Sequence, residues 1–245
     1  MSIANTAVET PRAARPAGCS SCTLRDLCMP CATPGLDTDD TDEHAYTRRR
    51  VKRGESLYRS GSRFAAIYAV RSGFFKSSMV LEDGRDQVTG FHMAGEILGL
   101  DGIGTDAHAG DATALEDSEV CVIPHARLDE PGLQRRLQRT MSRELVRDQG
   151  IMLLLGTMRA EQRLAAFLLN LSERFTARGF SPREFHLRMR REEIGSYLGL
   201  SLETVSRLFS RFQEQGLVAV QQKHIRILDI PGLRAMMLPA DACPR

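Results

Sequence analysis

Cys19, Cys22 and Cys28 stand at C-x2-C-x5-C spacing near the start of this 245-residue chain, and Cys121 follows far downstream. Thiolates are soft ligands, and gathered this closely they favour zinc, copper(I) or an iron–sulfur cluster. Such clusters are typically held by four cysteines, often three close together and one remote, which is the distribution of Cys19, Cys22, Cys28 and Cys121. Cys31 opens a rival arrangement, C-x2-C-x5-C-x2-C, in which Cys19, Cys22, Cys28 and Cys31 form a local zinc site. Cys121 would then be an ordinary buried strand thiol. The short middle gap and Pro30, which restricts the approach of Cys31, weigh against zinc. Cys243, in the tail DACPR, reads as a surface thiol.

A second pattern points to nucleic acid. IGSYLGLSLETVSRLFSRF at 194–212 reads as two helices joined by a tight turn. Ile194 and Leu198 give the first helix its inner face, Gly199 supplies the turn, and Ser201 is a candidate N-cap for the second helix. There Val205, Leu208, Phe209 and Phe212 recur at i, i+3, i+4, i+7 as a buried stripe. The opposite face presents Glu203, Ser206 and Arg207 in the first two turns, with Thr204 beside them. A recognition helix meets base edges at this place. Arg207 suits guanine, Glu203 can accept from a cytosine amino group, Ser206 can meet either kind of edge, and Arg211 is placed for a phosphate. LVAVQQKHIRIL at 217–228 follows as a two-strand wing.

The rest of the chain must position these two sites. Its composition, 42% hydrophobic and 26% charged without Trp, is that of an ordinary soluble protein. The apolar runs IMLLL and LAAFLLNL are too short to span a bilayer, and the N-terminus lacks the apolar core of a secretory signal. The expected address is cytoplasmic, where cysteines serve more often as thiols or ligands than as disulfides. Net charge is +2 but uneven: residues 159–245 carry 14 basic and 9 acidic side chains, or +5, and the remainder carries −3. A basic terminal module suits a phosphate backbone.

Residues 1–35 lack a sustained period and read as a cysteine-rich segment that a ligand must order, followed by the acidic connector TPGLDTDDTDEH. Within 36–131, short β runs separated by Gly turns indicate an antiparallel roll or barrel. Residues 132–159 change to helical spacing through Leu133, Leu137, Met141, Leu145, Asp148, Met152 and Leu155. A helix of that length, about 40 Å at 1.5 Å per residue, exceeds what a small roll covers and is expected to pair with its twin in a homodimer. Asp148 then either faces its mate across the seam, opposing association, or turns to a solvated rim. Residues 160–245 complete a winged helix-turn-helix domain. The expected fold is α+β: an antiparallel roll, a long dimerisation helix and a C-terminal DNA-binding domain.

On the stretches CSSCTLRDLC, QVTGFHMAGEILG, RLAAFLLNLSERFTARGFSPREF and GLSLETVSRLFSRFQ, the chain resembles the CRP/FNR superfamily of bacterial regulators, and within it the fumarate and nitrate reduction branch. The resemblance runs from about Cys19 to Leu228, and the E-x-x-S-R signature falls on Glu203, Ser206 and Arg207. It implies an oxygen-labile [4Fe-4S] cluster on Cys19, Cys22, Cys28 and Cys121 that promotes the dimer. It also implies palindromic TTGAT-type sites in double-stranded DNA and contact with RNA polymerase, for which the turn Glu82 to Asp86 is a candidate.

Other functions fit less well. A cyclic-nucleotide sensor would use a similar roll, and AGEIL keeps Gly95 and Glu96, but GTDAHAGDATALE contains no Arg to meet a phosphate. CRP-like regulation with a structural zinc or a different small effector is the remaining alternative. Catalysis is not expected: His44, His92, His108 and His125 are scattered, and no nucleophile–base arrangement or phosphate loop stands out.

Overall fold

The computed structural model describes residues 22, 24, 27–29 and 46–237. Among the described residues of the first half there are eight strands: β1 Thr47–Val51, β2 Ser56–Tyr58, β3 Ala66–Ser72, β4 Phe74–Val80, β5 Asp86–Met93, β6 Ile97–Leu98, β7 Asp111–Ala114 and β8 Ser118–Pro124. They form two four-stranded antiparallel sheets, β1-β8-β3-β6 and β2-β7-β4-β5. The expected roll is borne out. Strand periodicity sorts its residues into two cores. On β3 and β8, Ala66, Tyr68, Val70 and Val120 turn inward between the sheets. Ile67, Ala69, Cys121 and Ile123 turn outward, to a second cluster.

That outward face is covered by two pieces of chain that are remote from each other in sequence. One is the cysteine segment, whose Leu24, Cys28 and Met29 join the cluster; the other is α1, Pro131–Thr157, through Leu133 and Leu137. Pro131 sits at the start of α1, where its missing N–H costs nothing. The helix then runs past the roll. Leu154 enters a third core built around α2, Ala160–Thr176.

The C-terminal half adds β9 Glu184–His186, α3 Arg191–Leu198, α4 Leu202–Glu214, β10 Val218–Gln221, β11 His224–Ile227 and α5 Ile230–Ala235. The wing is a three-stranded sheet, β10-β11-β9. Its third strand lies in a stretch that sequence patterning reads only as a break. The two halves share a core: Phe74, Val88, Phe91 and Met93 from β4 and β5 pack with Phe167 of α2 and Ile194 of α3. Phe91, Phe167 and Tyr197 form an aromatic triangle with centroids 5.2–6.0 Å apart. Polar contacts rim this joint: Val88 N donates to Ser196 Oγ at 2.8 Å, and Lys76 pairs with Glu193 at 3.3 Å.

His92 on β5 lies on the roll's inner side, only 7% exposed, with Nε2 3.0 Å from Ser77 Oγ. Its Nδ1 is buried without a hydrogen-bond partner among the described residues. Burial, helped by the charge of Arg147, pushes the imidazole down to about 3. The unfolded chain therefore takes up a proton that the folded chain refuses between about pH 6.5 and 3. The stability present above pH 6.5 is lost as pH falls through that window. Urea unfolding is expected to show His92→Gln retaining about 1–2 kcal/mol more of its pH 7 stability at pH 5 than the parent does. Parallel pH profiles would contradict a buried neutral His92.

Candidate DNA interface and cysteine site

Helix α3 ends at Gly199 in the left-handed conformation, φ +63°, which turns the chain into α4 without a side-chain clash. Ser201 caps α4, its Oγ accepting from Thr204 N at 3.1 Å. Val205, Leu208, Phe209 and Phe212 are buried as their spacing requires, and Glu203, Ser206 and Arg207 are exposed on the far side. Thr204 is half-buried with Oγ1 3.1 Å from Ser201 Oγ. Hydrogen bonds from its own backbone N–H and from the Ser201 hydroxyl, with the charge of Arg207, hold the Glu203 carboxyl below its ordinary value. It is therefore an acceptor at neutral pH. Arg211 lies one turn on and pairs with Glu161 at the start of α2, Nη1 to Oε1 2.8 Å.

The fold adds a residue that sequence reasoning passed over. Arg191, at the start of α3, lays its guanidinium 3.4 Å from the centroid of the Phe209 ring, a cation–π geometry. Its Nη2 reaches Gln222 O at 3.4 Å, and Nη1 is buried without a partner among the described residues. Burial lowers its pKa to about 10, so it remains charged. Arg191, Ser206, Ser210 and Val220 line a groove between α4 and the wing. Nothing in the run RMRREE distinguishes Arg191 from Arg188 or Arg190; only the packing of α3 on α4 selects it.

At the other end, Cys22 and Cys121 are half-buried and Cys28 is buried. Cys28 N donates to Leu24 O at 2.7 Å, closing a turn, and Arg136 Nη1 of α1 reaches Met29 O at 3.5 Å. Arg71 is the local cation. Burial opposes its charge, but the hydrogen bond and charge of Glu119 at 2.9 Å, then Cys22 and Cys121, outweigh it and raise its pKa. One guanidinium thus lies within electrostatic reach of both sulfurs, and Cys28 shares the apolar cluster that holds Cys121. Sulfur alone makes up this donor set, which fits a thiolate-held metal group. Among the described residues no three Cys, His, Asp or Glu side chains stand at metal-binding geometry. Cys19, Cys31 and Cys243 lie outside the described residues.

The roll also keeps a cavity of about 220 Å³ against α1. Asp101, Asp111, Glu144 and Asp148 line it, and Arg147, the one guanidinium there among the described residues, is paired with Glu144 at 2.6 Å. An anionic ligand would meet uncompensated carboxylates there. Burial, with Asp148 and Glu96 nearby, raises the Glu144 carboxyl despite Arg147. Glu96 does not line this cavity and is held instead by Arg174 of α2 and Arg178 just beyond its end.

The expected dimer residues fall on different faces of α1. Met141, Leu145 and Met152 are exposed, joined by Val146 and Leu153, all 42–65% exposed. Leu137 enters the roll cluster, Leu155 is partly buried against the DNA-binding core, and Asp148 lies at the cavity. No helix among the described residues is long and apolar enough to cross a membrane.

Residues 162–236 match the Crp-like helix-turn-helix domain, and residues 48–130 the cyclic nucleotide-binding domain. The chain is 49% identical over 226 residues to the transcriptional regulatory protein btr of Bordetella pertussis, covering 90% of this chain and 93% of that one. It is 48% identical over 230 residues to the transcriptional activator protein FnrA of Stutzerimonas stutzeri, covering 92% and 94%. Among solved structures, FixK2 of Bradyrhizobium japonicum superposes with a TM-score of 0.73 at 30% identity, over 80% of this chain and 99% of that one.

The two arginines are expected to separate in a mobility-shift titration. Arg207→Ala should weaken a cognate duplex by about 1–3 kcal/mol and relax discrimination at one base pair. Arg191→Ala should weaken cognate and scrambled duplexes alike and reduce the salt slope by about one. Equal loss of discrimination in both variants would refute the division.

Proposed function

This chain belongs to the fumarate and nitrate reduction branch of the CRP/FNR family of transcription regulators, and from that membership we propose that it is an oxygen-responsive switch acting on DNA in the cytoplasm. It is not an enzyme: its relatives are named regulators. The observation that supports the sensing reading is the apolar cluster shared by Cys28, Cys121, Leu133 and Leu137, which puts two of the proposed ligands in one core with the first turns of the long helix. Cys19, Cys22, Cys28 and Cys121 would hold a [4Fe-4S] cluster. Bound there, it supplies an oxygen-labile link between the N-terminal segment and the roll.

The remaining steps belong to the chain's own side chains. Seating Cys28 and Met29 over Leu133 and Leu137 fixes the direction in which α1 leaves the roll. The exposed residues Met141, Leu145, Val146, Met152 and Leu153 then pair with the same face of a second copy, as apolar helical faces do. Two α4 helices present Glu203, Ser206 and Arg207 to successive major grooves about 34 Å apart, matching a palindromic TTGAT-type site. When the segment loses its seat, α1 loses its fixed exit and the dimer weakens. Moving a population from mostly one state to the other takes about 5.5 kcal/mol of differential stability, within reach of a four-ligand centre. The turn Glu82 to Asp86, next to the exposed Val80 and Leu81, is the proposed contact for RNA polymerase.

Anaerobic purification tests the reading. About four iron and four sulfide per chain are expected, with visible absorbance that Cys121→Ala abolishes. Air should bleach that absorbance and lower affinity for a palindromic duplex by about tenfold or more. Stoichiometric zinc without iron, or unchanged DNA binding after bleaching, would overturn it.

A further inference from the structure

Glu96 lies in the turn between β5 and β6, largely buried, and its carboxylate is fully engaged. Oε1 accepts from Arg174 Nε at 3.0 Å and Arg178 Nη2 at 2.7 Å; Oε2 accepts from Arg174 Nη2 at 2.6 Å and Met93 N at 3.2 Å. The same two guanidiniums bind roll carbonyls, Arg174 Nη2 at Phe91 O (2.6 Å) and Arg178 Nε at Ala94 O (2.5 Å). Both arginines stand in or just beyond the last turn of α2, the first helix of the DNA-binding half. One turn of the roll therefore grips that half through charge-assisted, forked hydrogen bonds. Burial alone would raise the Glu96 carboxyl, but the two guanidiniums outweigh it and keep the group ionised.

The cysteine segment rests on this same turn. Gly95 adopts φ +89°, and a methyl group added to it would stand 3.1 Å from Leu27 Cβ and 3.9 Å from Arg178 Nη2. The positive φ favours glycine, and a side chain there would press on Leu27. Leu27 immediately precedes Cys28, a proposed ligand. From sulfur ligand to DNA-binding helix the contacts run Cys28, Leu27, Gly95, Glu96, then Arg174 and Arg178, and they bypass the exposed face of α1.

We propose that Glu96 is a positioning residue: with Arg174 and Arg178 it couples the seat of the cysteine segment directly to the DNA-binding domain, alongside the route through the dimer helix. The inference rests on the oxygen-switch reading. When the segment is seated, Leu27 braces the turn and Glu96 holds α2 in the orientation that presents α4. When the segment leaves, Leu27 withdraws, the turn loosens, and the domain samples other orientations even within an assembled dimer.

The test measures duplex affinity before and after air, with iron content and sedimentation, for the parent, Glu96→Gln, Glu96→Asp and Leu27→Ala. Glu96→Gln is expected to retain iron and dimer assembly under nitrogen while the ratio of affinities before and after air shrinks by about tenfold. Glu96→Asp, which keeps the charge, should recover part of the ratio. Leu27→Ala changes a side chain 40% exposed and should fold even if the Glu96 variants do not. It too should shrink the ratio, and trypsin should cut near Arg159 faster in the cluster-bearing variant than in the parent. A purely structural ion pair would lower both affinities equally, and an unchanged ratio in Leu27→Ala or Glu96→Gln overturns the proposal. If the parent itself ignores air, the oxygen reading fails; if parent and variants respond alike, only this inference falls.

Discussion

The seat of Cys28 and Met29 against Ile67, Ile123, Leu133 and Leu137 is the contact on which the molecule's organisation turns. It joins three parts of the chain that are far apart in sequence: the segment before the roll, the outer face of one sheet, and the first two turns of a 27-residue helix. Burying a side chain of this size is worth roughly 1.5–3 kcal/mol. A few such contacts can order a short segment, but they leave little surplus once backbone entropy of about 1–2 kcal/mol per residue is charged against them. Under the proposed function, a ligand that adds bonds to Cys28 would tip this balance.

Charge is distributed to match. The roll retains the cyclic nucleotide-binding architecture, yet among the described residues four carboxylates against one paired arginine make its cavity hostile to a phosphate. Glu96 is instead committed to the joint with the DNA-binding half. That joint is a continuous core rather than a linker, since Phe91 touches Phe167 and Tyr197 across it. A change at the roll surface therefore meets the DNA-binding helices through packed side chains, which shift between discrete arrangements rather than bending smoothly.

Much of this was legible in the sequence, and what was not has identifiable causes. The alternation in SEVCVIP is enough to put Cys121 on one face with Ile123, and the i, i+3, i+4, i+7 stripe of α4 is buried as it reads. The stripe of α1 is different. Each i+4 step rotates a helix by about 40°, so Leu133, Leu137, Met141 and Leu145 drift from the roll face to the solvent face. A single periodic series thus serves two surfaces, and it leaves Asp148 beside the cavity. The Glu96 clamp and the Arg191 stack were out of reach, because partners 78 and 82 residues away from Glu96, or a ring on the next helix, leave no local pattern.

The most direct measurement is hydrogen exchange at the backbone amides of residues 133–137, compared between protein kept under nitrogen and the same protein after air. If sulfur ligation seats the N-terminal segment on α1, protection there should fall by about tenfold or more once the absorbing centre is gone. Equal protection in the two states, with the centre demonstrably lost, would contradict the account.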